Sequence, residues 1–263
     1  MKLRARIEGI GLLGPGLTGW PEASEVLAGR APLVERATAL PAPDLLPPAE
    51  RRRTGKSIRV ALAIGLEAAA AAGRAPRDCV AVFTSSSGDG DILHALCEGL
   101  ASDDRQVSPT RFHNSVHNAP AGYWGIATGA MKSADSLCAF DASFSAGILE
   151  AATRLAAQPG EPVLVIAYDA PYPEPLNAVR PMPDAFGVAL ALSARREGTG
   201  TPVTCELTAD APTTLADPRL EAMRRSIPSA RSLPLLQLLA SGTPGRVVID
   251  YLDGLSLAME VGP

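Results

Sequence analysis

With 263 residues, 46% of them hydrophobic but only 4% aromatic, the chain suits one large domain or two small ones, with a core built from Ala, Val, Leu and Ile. A net charge of −4 and a single dense basic run, Arg51-Arg52-Arg53, leave no stripe of cations able to neutralise phosphates, which argues against nucleic acid as a partner. No apolar run of signal-peptide length follows the opening MKLRARIEGIGLLGPG, and no segment approaches the ~20 apolar residues of a bilayer span, so a cytoplasmic chain is expected.

In chain order, Leu3–Leu13 reads as a strand stopped by Gly14-Pro15-Gly16, with a short helix at Pro21–Leu27. The proline-rich stretch that follows is too irregular for a core element, and Arg51-Arg52-Arg53 solvates the start of the next helix. That helix spans Thr54–Ala72 and ends at Gly73. Cys79–Ser86 is an apolar strand, and Gly88-Asp89-Gly90-Asp91 opens a helix carrying Leu93, Leu96 and Leu100. Pro120 sits early in another helix.

Leu137–Phe140 reads as a buried strand that breaks into a helix over Ser143–Ala157. That helix is apolar around nearly its whole circumference, which predicts burial on all sides between two layers. Strands follow at Glu161–Ala170, Phe186–Ser193 and the stretch VTCELTA, then an interrupted helix at Leu220–Leu239 and a hairpin across Asp253-Gly254. Alternating strands and helices make this an α/β layered fold. Cys79, Cys97, Cys138 and Cys205 form neither a CxxC pair nor a zinc-ligand set, and we read all four as small core residues.

The strand-to-helix corner SLCAFDASFSAGILEA is where a fold of this kind presents a nucleophile, and Ser143 stands at the bend. A serine hydroxyl starts far above the ~8.5 of a cysteine thiol. A helix dipole contributes at most ~2 kcal/mol, or ~1.5 pKa units, so Ser143 needs a general base within hydrogen-bond reach. His113 and His117 are the candidates for that base. The flanking glycines of a hydrolase elbow are missing, and Phe144 crowds the oxyanion position, so Ser143 reads as a helix cap.

Other tempting features read as structural. Gly55-Lys56-Ser57 is a helix start without a P-loop, and Gly9–Gly16 has no helix behind it. Asp89 and Asp91 are N-terminal helix charges, and Asp169 is a turn residue ending a strand. Tyr123 and Trp124 serve as packing residues or as interface anchors. No cofactor or metal site is expected.

From Lys2 to Ser193 the sequence resembles the N-terminal half of a β-ketoacyl synthase, within the thiolase-like family. The resemblance is carried by GIGLLGPG, FTSSSGDGD, NSVHNAPAGYWGIATG, the corner, VLVIAYDA and AFGVALALS, in that order. FHNSVHNAPAGYW with FDASFSAG narrows it to the short chain-length-factor proteins of aryl polyene-type pigment pathways. It implies a thiolase-like layered αβα fold, with residues 1–197 as the ketosynthase half and 198–263 as a reduced C-terminal remnant packed on the same domain. Catalytic members carry a cysteine at the corner, where Ala142-Ser143 stand here, and two histidines in the C-terminal half. This chain has only His94, His113 and His117, all upstream of the corner.

The resemblance therefore implies a non-catalytic subunit, in fatty acid or polyketide-type biosynthesis, that pairs with an active β-ketoacyl synthase as a heterodimer. It would shape the acyl or polyene pocket and meet the acyl carrier protein only indirectly. Asn114, His117, Asn118, Tyr123, Trp124, Asp141, Phe144 and Phe186 are its implied pocket and interface residues. Two other readings stand beside it: a serine acyltransferase or hydrolase using Ser143, and a homodimeric scaffold.

Overall fold

A computed structural model describes residues 2–195 and 197–262. The chain begins with β1 (Leu3–Gly14), β2 (Leu17–Thr18) and α1 (Trp20–Leu27), and the proline-rich connection then contains only the four-residue α2 (Pro48–Arg51). Arg51 donates to the carbonyls of Asp44 and Leu46, so this arginine ties down the connection and does not solvate a helix start. Then come α3 (Lys56–Ala71), β3 (Val80–Thr84), α4 (Gly90–Ala101), α5 (Pro109–Asn114), α6 (Ala119–Thr128) and β4 (Ala134–Leu137). They are followed by α7 (Ser143–Ala157), β5 (Val163–Asp169), α8 (Leu176–Val179) and β6 (Phe186–Ser193). Residues from 201 onward form β7 (Thr201–Thr208), α9 (Pro218–Ser226), α10 (Leu233–Ser241), β8 (Gly245–Leu252) and β9 (Leu255–Val261).

The strands join one mixed sheet in the order β4-β3-β5-β6-β1-β7-β9-β8, with β2 paired to β1. β3 is parallel to β4 and β5, while β6 runs antiparallel to both β5 and β1. β1 is long enough to serve two neighbours. Leu3–Ile7 pairs with β7 and Arg6–Leu13 with β6, with a register shift between Ile7 and Gly9 where the extra residue bends the strand.

Strand alternation divides the core into two faces. Along β5, Val163, Val165 and Ala167 join α7, while Leu164, Ile166 and Tyr168 join α3 and α6. Helix α3 lies almost on the β1 backbone because Gly11 has no side chain; a Cβ there would sit 2.0 Å from the Ile64 carbonyl oxygen. On the other face α7 is held between the β3–β5 sheet and β8, with Phe144, Ile148 and Leu155 buried.

Three expectations need correction. The buried strand at Leu137–Phe140 is an edge strand three residues earlier, Ala134–Leu137, and Phe140 has left the extended region for φ +51°. Burial of α7 is not all-round, because Ala146 and Leu149 are only half-buried and Ala156 is exposed. Among the strands after residue 200, β8 packs against α7. Cys79 and Cys205 are core residues, but Cys97 and Cys138 are exposed.

Phe144, 1% exposed, anchors α7 in this core. Phe144→Ala is expected to lower the unfolding free energy by about 3–5 kcal/mol in chemical denaturation. Phe112→Ala, at an exposed ring on α5, should change it by no more than about 0.5 kcal/mol.

Candidate functional site

The parallel strands β3 and β5 end on the same side of the sheet, and the loops leaving them meet the corner between β4 and α7. Ser143 opens α7, but Ala142 holds the N-cap position and no side chain caps the helix. The expected cap role is therefore wrong. The Ser143 hydroxyl, 2% exposed, faces the carbonyl oxygens of Ser85 at 2.9 Å and Phe140 at 2.7 Å and accepts from the Ala139 amide at 3.0 Å. Thr84 Oγ1 donates to the Ser143 carbonyl at 2.7 Å. The hydroxyl's one proton is committed to backbone carbonyls, and no histidine hydrogen-bonds it. Ser143 is a rivet between α7 and the end of β3.

The turn it closes is strained, since a bulky residue at positive φ costs about 1–3 kcal/mol. Arg180 braces it from outside, its guanidinium 3.4 Å above the Phe140 ring centroid and 2.7 Å from Asp141 Oδ1. Arg231 reaches the other Asp141 oxygen at 3.2 Å.

Beneath the corner lies a second polar group. The Ser85 hydroxyl donates to the Ser87 carbonyl at 2.5 Å and lies 3.1 Å from His117 Nε2. With its proton spent on Ser87, Ser85 can only accept from His117, which places the imidazole proton on Nε2 and leaves Nδ1 an acceptor. Burial pushes the His117 pKa down, so the ring is neutral near pH 7.

Asp169 is not a turn residue. Its buried carboxylate accepts the amides of Ser86 at 2.8 Å and Ser229 at 2.7 Å, joining the β3 loop to the turn between α9 and α10. Burial raises its pKa. The sequence signals were the Ser85-Ser86-Ser87 run after an apolar strand and a carboxylate ending another.

Asn114 and His117 share a cavity of about 10 Å³ with Ser57, Asp89 and Tyr168. Asn114 Nδ2 donates to the Arg53 carbonyl, and its Oδ1 accepts from the Tyr123 hydroxyl. Tyr123 and Trp124 are buried, Trp124 edge-on to Phe83 at 6.1 Å between ring centroids, so both are packing residues of this chain. Asn118 is exposed, and Phe144 and Phe186 are core residues outside the cavity. Asp89 caps α4 by accepting from the Ile92 amide, as its expected place at a helix start requires.

The family model of the β-ketoacyl synthase N-terminal domain matches residues 23–248. The chain belongs to this family. Solved ketosynthase structures share its layered thiolase-like fold. A chain of "Ketosynthase (ApeO) in Complex with its Chain Length Factor (ApeC) from Xenorhabdus doucetiae" matches at 23% identity and TM-score 0.74, over 98% of this chain and 99% of that one. A chain of the ishigamide ketosynthase/chain length factor matches at 14% identity and TM-score 0.70, over 98% of both. A chain of AntDE:AntF, a type II polyketide synthase acyl-carrier protein in complex with its ketosynthase, matches at 10% identity and TM-score 0.76, over 100% and 99%. No curated protein sequence matches. Among the described residues no helix is long and apolar enough to cross a membrane.

Two outcomes follow for this ketosynthase-family chain. In NMR titration His117 should have its midpoint below the ordinary 6.5. Because the unfolded chain then binds the proton more readily, His117 lowers stability as pH falls from about 6.5 toward that midpoint. Ser143→Cys should gain no condensing activity, and its buried thiol should react with iodoacetamide more slowly than Cys97 and Cys138.

Proposed function

We propose that this chain is a non-catalytic ketosynthase-family subunit that pairs with an active β-ketoacyl synthase and helps to set the length of the acyl or polyene chain. The observation that carries the reading is Ser143: it stands at the family's nucleophile position with its proton on backbone carbonyls and without a base. The decarboxylative condensation of a malonyl carrier-protein unit with an acyl thioester then belongs to the partner's cysteine and histidines. The carrier protein meets this chain only through the complex.

The two ends of the sheet support pairing. The β8 edge is closed, because Thr213 donates its amide to the Val248 carbonyl at 2.8 Å and its Oγ1 accepts the Val248 amide at 2.9 Å. At the β4 edge no further strand pairs among the described residues, and Ser136 Oγ is buried without a hydrogen-bond partner. Exposed Ile126 and Met131, the latter 93% exposed, precede this edge. Open strand edges are templates for another chain. The interface of the proposal runs along β4 and the segment Asn114–Trp124, with Asn118 on its exposed side, while Asn114 and His117 shape the pocket.

The reading of Ser143 as an acyl-transfer nucleophile loses its support with the missing base. Co-expression with a catalytic β-ketoacyl synthase of the proposed pathway should give a stable 1:1 complex by native mass spectrometry, and Ile126→Glu with Met131→Glu should abolish it while leaving the thermal midpoint unchanged. A self-dimer indifferent to the ketosynthase would favour the scaffold reading.

A further inference from the structure

We draw no further inference here: the strongest candidate, the exposed apolar patch of Leu93 and Leu100 on α4 and Phe112 on α5, carries none, because nothing in the structure shows what covers it.

Discussion

The hydrogen bonds around Ser143 are the constraint on which the rest of the structure turns. One buried hydroxyl holds the end of β3 through the Ser85 carbonyl and closes the Phe140 turn, while Thr84 returns a bond to the Ser143 carbonyl. Loops at the ends of parallel strands are otherwise mobile. Here α7 is fixed to β3 at its first residue, and Ser145 Oγ fixes it again to the Asp250 carbonyl of β8 at 2.7 Å. The same helix therefore joins the sheet to the segment that follows residue 200. A cysteine used as a nucleophile must expose its sulfur to substrate. A serine used as a rivet must not, and at 2% exposure Ser143 does not.

From that fixed corner the neighbouring polar groups acquire their places. Ser85 offers its carbonyl to Ser143 and its hydroxyl to His117, so α7, the β3 loop and the segment leading into α6 share one residue. Asp169 extends the network to Ser229. Buried networks of this kind are stable only when their members are satisfied, and both Asp169 oxygens accept a backbone amide.

The order of strands and helices was legible because periodicity is a local property. The apolar runs of β3, β5 and β6, the glycine after α3 and the Asp253-Gly254 hairpin all lie where their residues place them. The corner itself was read partly wrongly. Leu137–Phe140 looked buried by composition, yet only tertiary pairing shows that β4 is an edge strand, and a capping serine and a riveting serine are identical in sequence. The polar network was hidden for a similar reason. Asp169 finds Ser86 and Ser229 across 83 and 60 residues, distances over which spacing carries no signal. Helix α4 shows the converse, since its leucines suggested a core face while Leu93 and Leu100 are exposed and only Leu96 is buried.

On the proposed reading, this chain acts in its complex by occupying space. The central claim is tested most directly by the length of the product that the paired ketosynthase makes, read by mass spectrometry of the released acyl chains. With His117→Trp enlarging the half-buried side chain at the pocket of the proposal, the account predicts shorter chains at an unchanged rate of initiation and with the complex intact. Chains of unchanged length from an intact complex would contradict it.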